Sequence, residues 1–467
     1  MANSFHCNVL AIIVLFASFV TPNPIVRRDV TLPSQDPFYY PPAGFEDKPP
    51  GTILKHRPPP SPLSAFGVIP LEIYSAHQIL YRTTAANGNA THTVSTVLIP
   101  REANYSRVVS QQDFMDSASF DCSTSYALQQ HASHKTMQSQ ATILYIAGLL
   151  KHKYIVNIPD YEGPNASFSC GLSSGYALLD SIRALLSSSD FTGIASDAEM
   201  VMWGYSGGSI PTQWAAELHH TYAPELKILG AATGGTVVNL ESTIKTINKG
   251  AGAGYAASGI HGLMAEYPAL EKFLGEGIVP ESADEFMSAK TRCAMGNSDF
   301  YNDKDISKYF TKGFDWFEDP AIRAVLNETG TMGLRGTPRI PLHMYKTVND
   351  EIAPIAHDDA LVAQYCADGG QVQYERNLHG SHASQSILGS SAAIVFIRDL
   401  FEGRGGRPGC SITNVEYLAP NWDDLEEMGG SIVALMGDLL SKEALGVVEE
   451  EVEDGLVGWW DEVFGSG

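Results

Sequence analysis

The sequence predicts an α/β fold: a mostly parallel central sheet covered by helices on both faces, with an inserted helical cap. Three observations carry that reading. After an early hairpin, apolar strand-like runs alternate with stretches of helical periodicity. One short strand, "EMVMW", passes into a helix through the glycine-rich "GYSGG". From about Thr236 to Thr337 strand patterns disappear, and amphipathic stretches such as "YPALEKFL" and "DPAIRAVLNETG" replace them.

The elements follow in order. "VLAIIVLFASFV" (Val9 to Val20) has the length of a signal-peptide core and is short for a membrane span. Arg27-Arg28 sits downstream like a dibasic processing site, so the mature chain is expected to begin near Asp29. Pro33 to Pro62 is proline-rich and reads as an extended arm laid on a core, or as a linker. "EIYSAHQILYRTT" and "HTVSTVLIP" flank Asn87-Gly88, a hairpin signal. "RVVSQQ" reads as a strand, "TILYIAGLL" as a helix and "YIVNIP" as a strand. "GLSSGYALLDSIRALLSS" spaces Tyr176, Leu178, Leu179, Ile182, Leu185 and Leu186 as one helical face. "LKILGAA", "IPLHMYKTV" and "QVQYERN" are further strands, and "ASQSILGSSAAIVFIRDLF" is a long helix. The expected layout is a signal peptide and short propeptide at 1–28, an arm and the first part of the core at 29–235, the cap at 236–337, the second part of the core at 338–428, and an acidic tail at 429–467.

Composition narrows the class. With 467 residues the chain exceeds one simple core, so one large domain with an insertion and two domains both fit. A net charge of -23 without a basic cluster argues against nucleic acid and against anionic membranes as partners. After removal of Cys7 with the signal, five cysteines remain, which suits two disulfides and one free thiol in an oxidising compartment. Asn89, Asn104, Asn165 and Asn327 each begin an N-x-S/T acceptor, consistent with an extracellular glycoprotein. No second long apolar run follows, so a soluble secreted protein without a permanent membrane anchor is expected; a monomer is the expected state.

The chemistry centres on Gly204-Tyr205-Ser206-Gly207-Gly208, which fits G-x-S-x-G. A strand before it and a helix after it make that pattern a nucleophile elbow. The serine there adopts a strained backbone and needs small neighbours, which Gly204 and Gly208 supply. The Gly207 N–H and the helix's positive end would face a developing oxyanion. Pro211 fits if the helix begins near Ser209. A serine hydroxyl needs a base held by an acid, following it along the chain in the order acid, then histidine. Asp350, just past "IPLHMYKTV", is the acid, with Glu351 its neighbouring alternative. The base is His379 or His382 in "LHGSHAS"; both precede a helix, and pattern alone does not separate them. There is no H-E-x-x-H and no zinc-spaced cysteine pair, so neither metal nor organic cofactor is expected.

"ILYRTT", "FMDSASFDCSTSY", "YALLDSIRAL", "GYSGGS", "YAPELKILGAATGGT", "DEIAP", "QYCADGG" and "HASQSILGSSAAIVFI" together resemble the secreted fungal lipases typified by Candida antarctica lipase A. The likeness runs from about Asp36 to Gly409. It implies an α/β-hydrolase that cleaves acylglycerol esters at an oil–water interface through Ser206, Asp350 and His382, the last chosen over His379. It also implies an oxyanion role for Asp116, by its backbone N–H or a protonated carboxyl, in place of an HGGG stretch. The implied disulfides are Cys122–Cys293 and Cys366–Cys410, leaving Cys170 free. A short-chain carboxylesterase, an acyltransferase and a non-catalytic binding protein on the same fold are the competing readings.

Overall fold

The computed structural model describes residues 30–416 apart from Val68 and Arg407. The expected signal peptide and acidic tail lie outside the described residues. Ten strands form one sheet: β1 (Ile53–Arg57), β2 (Ser75–Thr84), β3 (Ala90–Ile99), β4 (Arg107–Gln112), β5 (Ile155–Pro159), β6 (Glu199–Tyr205), β7 (Ile228–Gly234), β8 (Leu342–Thr347), β9 (Val372–Asn377) and β10 (Cys410–Val415). Their order is β1-β2-β3-β5-β4-β6-β7-β8-β9-β10. β1, β2, β3 and β5 pair antiparallel, and every pairing from β5 to β10 is parallel.

Period-two alternation splits the core between two faces. On β6, Met200 and Met202 join one apolar cluster, while Val201 and Trp203 join the other. The first face also buries Leu178, Leu179 and Ile182 of α3 (Gly171–Leu186), Trp214 and Leu218 of α4 (Ser209–Tyr222), and Leu361, Val362 and Tyr365 of α10 (Ile355–Ala367). The opposite face buries Met137 of α1 (Met137–Ala141), Ile143, Ile146 and Leu149 of α2 (Ile143–Lys151), and Ile394 and Ile397 of α12 (Ser390–Phe401). Each such aliphatic side chain contributes roughly 1.5–3 kcal/mol on burial.

Between β7 and β8 the chain forms a helical insertion. Its main helices are α5 (Leu240–Ile247), α6 (Ala253–Glu266), α7 (Pro268–Gly277), α8 (Ala294–Tyr301) and α9 (Pro320–Thr329). The insertion has its own apolar cluster, built on Ile244, Ala256, Ile260, Phe286, Tyr301 and Phe317. Gly254 of α6 lies so close to the Asn297 backbone of α8 that a methyl group would overlap it.

The structure decides one open expectation and departs from the sequence reading at two places. The proline-rich arm is laid on the core, with Phe38 and Tyr39 buried against Leu80 and Val94 and an Asp36–Arg57 ion pair of 2.6 Å; it also supplies edge strand β1. The expected long helix is two helices, α11 (His382–Leu388) and α12, divided at Gly389, which packs against the Tyr345 ring. Edge strand β10, unforeseen in the sequence, pairs with β9. Among the described residues no helix is long and apolar enough to cross a membrane.

Candidate active site

Ser206 stands where β6 ends, at φ 51, in the left-handed region. A single turn, Ser206–Gly208, leads into α4 at Ser209. The glycines are sterically required. A methyl on Gly204 would overlap the Gly208 carbonyl, and one on Gly208 would overlap the Gln112 carbonyl at the end of β4. One on Gly207 would overlap the Asp116 carboxyl. Pro211 falls in the first turn of α4, where its missing N–H leaves no intrahelical bond unmade.

His382 is the first residue of α11, a helix opened by a capping box of Ser381 and Ser384. Its Nε2 lies 2.8 Å from Ser206 Oγ, and its Nδ1 lies 2.8 Å from Asp350 Oδ2. His379 is exposed, and its carbonyl accepts from Thr347 Oγ1. Asp350, in the turn after β8, accepts from Ile352 N at 2.9 Å and Ala353 N at 2.7 Å through Oδ1, which leaves Oδ2 for the histidine. Glu351 does not face the ring; its carboxylate accepts from the His382 backbone N–H. Tyr205 and Gly235 wall the imidazole, and the Tyr205 hydroxyl donates to the His382 carbonyl at 2.6 Å.

The electrostatics follow from these neighbours. Burial disfavours the Asp350 charge, but the charges of His382 and Lys346 outweigh it and hold the carboxyl well below its usual range. Burial likewise disfavours imidazolium, but the Asp350 charge and hydrogen bond, with the Glu351 charge, raise the His382 pKa above 6.5. Lys346, almost wholly buried, donates to Thr236 O and to Asp358 Oδ2, both at 2.8 Å, and lies 3.7 Å from Asp350 Oδ2.

Asp116 lies in the loop after β4 at φ 49. Its Oδ2 accepts from Gln138 Nε2 at 3.0 Å, and its buried Oδ1 has no hydrogen-bond partner among the described residues. Burial pushes its pKa up to about 7, opposed by the His382 charge and the Gln138 bond. Ser206, His382 and Asp116 share the lining of a cavity of about 350 Å³. Its apolar walls come from Phe114, Met137, Ile210 and Tyr145 of the core and Leu240 and Ile244 of α5.

Cys122 is bonded to Cys293 and Cys366 to Cys410, while Cys170 is a buried free thiol. Asn89, Asn104, Asn165 and Asn327 are all exposed. Sequence reasoning missed Gln138 and Lys346. A lysine inside the apolar strand "IPLHMYKTV" was the available signal for the second; the first had none.

The mostly parallel sheet, with its serine on a strand-to-helix turn, its aspartate in a later turn and its histidine at the start of a later helix, defines an α/β-hydrolase of the ester-hydrolysing kind. A family model described as secretory lipase matches residues 128–408. Lipase A of Arthroderma benhamiae is 41% identical over 425 residues, 90% of this chain and 90% of that protein. Trichothecene C-3 esterase of Fusarium sporotrichioides is 36% identical over 82% of this chain and 88% of its own length. The closed-state crystal structure of Candida antarctica lipase A superposes with a TM-score of 0.78 at 26% identity, covering 87% of this chain and 95% of that one. The chain belongs to the secretory lipase family.

Proposed function

We propose that the protein is a secreted serine lipase that hydrolyses acylglycerol esters through an acyl-enzyme. The observation that carries this reading is the continuous row Ser206 Oγ, His382 Nε2, His382 Nδ1 and Asp350 Oδ2, with 2.8 Å at both links. Ser206 Oγ attacks the ester carbonyl as His382 Nε2 takes its proton. Asp350 fixes the tautomer and balances the imidazolium charge. The Gly207 N–H and Asp116, by its N–H or its protonated carboxyl, stabilise the oxyanion; one such donor is worth about 2.7–4 kcal/mol. His382 then protonates the departing alcohol. Water, deprotonated by the same histidine, attacks the acyl-enzyme, and the fatty acid leaves as Ser206 regains its proton. The sequence requires neither metal nor cofactor for these steps.

The helical insertion serves as a cap over the acyl group, supported by the contribution of α5 to the apolar cavity. Secretion follows from the apolar leader, the disulfides and the exposed glycan acceptors, and the enzyme acts as a single chain at an oil–water interface. A short-chain esterase is the second reading, favoured by the likeness to the trichothecene C-3 esterase. Hydrolysis of p-nitrophenyl butyrate, tributyrin and triolein by wild type and Ser206→Ala tests both. A lipase cleaves all three and the variant none. Activity on butyrate esters without activity on triolein selects the esterase, and equal clearing of the emulsions by the variant overturns the assignment.

A further inference from the structure

The oxyanion turn is tied to the helical insertion by hydrogen bonds that the triad does not use. Gln138, on α1, donates through Nε2 to Phe114 O at 2.8 Å and to Asp116 Oδ2 at 3.0 Å. It thereby clamps the chain on both sides of Met115. Its Oε1 accepts from the Tyr255 hydroxyl of α6 at 2.9 Å. Both side chains line the cavity beside Ser206. The same loop meets the insertion twice more: Ser117 Oγ donates to Arg292 O at 3.2 Å, and Cys122 is bonded to Cys293, next to the first residue of α8. α6 and α8 are packed together, with Asn297 Nδ2 donating to Ser258 Oγ at 3.0 Å.

A residue at positive φ that also carries a buried carboxyl stays in place only where its surroundings over-determine it. Gln138 supplies that restraint, and Tyr255 fixes the amide by occupying its oxygen. Were the Tyr255 bond absent, the amide could turn and withdraw its N–H from Asp116. We propose that Gln138 and Tyr255 are positioning residues, a relay through which the insertion sets the oxyanion turn. The turn is then in its working geometry when α6 is seated over the cavity. This inference rests on the reading of Asp116 as an oxyanion element.

The test uses the full-length enzyme on soluble p-nitrophenyl butyrate, with Asp116→Ala, Gln138→Leu, Tyr255→Phe and the Gln138→Leu/Tyr255→Phe double variant. Gln138→Leu should lower kcat about 10- to 100-fold with KM within about twofold, the pattern of a contact needed in the transition state. Tyr255→Phe, which removes one hydroxyl and leaves the ring to pack, should lower kcat about 3- to 10-fold alone. It should add almost nothing in the Gln138→Leu background, because the two act in series. Inactivation by diethyl p-nitrophenyl phosphate, whose phosphoryl oxygen uses the same hole, should slow in parallel. Wild-type kcat in Gln138→Leu beside a crippled Asp116→Ala overturns the relay alone, as do fully additive penalties. Wild-type kcat in Asp116→Ala overturns the relay, which acts through the Asp116 carboxyl, and the carboxyl as the oxyanion donor; the backbone N–H reading of Asp116 is the part it leaves standing. Should Gln138→Leu fail to fold, unchanged kcat in Tyr255→Phe is itself contradictory.

Discussion

Each group at the site is set by a neighbour that removes its freedom. Asp350 has one oxygen committed to two backbone N–H groups and the other to His382, so the imidazole has one tautomer and one orientation. Asp350→Asn should keep the geometry, favour the wrong tautomer and lower kcat about 10⁴-fold, measured on p-nitrophenyl butyrate. Retention of a tenth of the activity would contradict the role. Lys346 acts one step further back. Its charge disfavours imidazolium, and in the proposed mechanism His382 must be neutral to act as base, so activity should rise with pH through the His382 pKa. Without the lysine that pKa moves up, and the acid limb of kcat/KM in Lys346→Met should move to higher pH. Asp358, whose burial already lifts its pKa to about 7, can take up a proton in the variant, so folding should survive. An unmoved acid limb would contradict this. Ser206 and Asp350 could be nominated because the chemistry demands their order and their places at strand ends; the same argument narrowed the base only to His379 or His382, and the family resemblance chose His382. Gln138 was not legible, since one amide forms no pattern along the chain; Lys346 left a signal, a lysine inside an apolar strand, but one that names no partner.

At the scale of elements, the elbow is the most constrained piece. A methyl group at Gly207 meets the Asp116 side chain, which lies in the proposed oxyanion site, whereas one at Gly208 meets the Gln112 backbone carbonyl. Gly207→Ala should therefore cut kcat strongly at nearly unchanged Tm, while Gly208→Ala should lower both; calorimetry beside kinetics separates them. The two disulfides differ likewise. Cys366–Cys410 ties the end of α10 to the start of β10, at the end of that strand away from the catalytic loops. Opening it by Cys366→Ser should cost about 2–5 kcal/mol of stability, read as a fall in Tm, with kcat retained. β10 escaped sequence reading because its side chains are mostly exposed, and β1 because its residues are mostly half-buried without a buried–exposed alternation. The break at Gly389 escaped because the helical apolar spacing continues across it, and only the approach to Tyr345 reveals it. The central strands and α3 were legible because both faces of this sheet are buried.

Across the whole molecule, buried acids set the pH response. Burial raises Asp113 to about 8, and Asp116, Asp160, Glu217 and Asp358 to about 7. In the unfolded chain such groups ionise near 4. Their contribution to stability is complete below that pH and is lost as pH rises through 7 to 8, where the native state binds the extra protons. His92, His261 and His343, which burial lowers to about 4, act oppositely, but only below about 6.5, where the unfolded imidazoles protonate. Above 6.5 the carboxyls decide, and the -23 net charge adds self-repulsion. Tm should fall between pH 6.5 and pH 8.5; a flat or rising Tm would contradict the buried-acid picture. The chain's central claim, that Ser206 is the attacking atom, is tested most directly by labelling with diethyl p-nitrophenyl phosphate followed by peptide mass spectrometry. The expected result is one diethylphosphoryl group per chain, on Ser206, appearing in step with the loss of activity and absent from Ser206→Ala. Complete inactivation with Ser206 unlabelled, or full activity with it labelled, would contradict it.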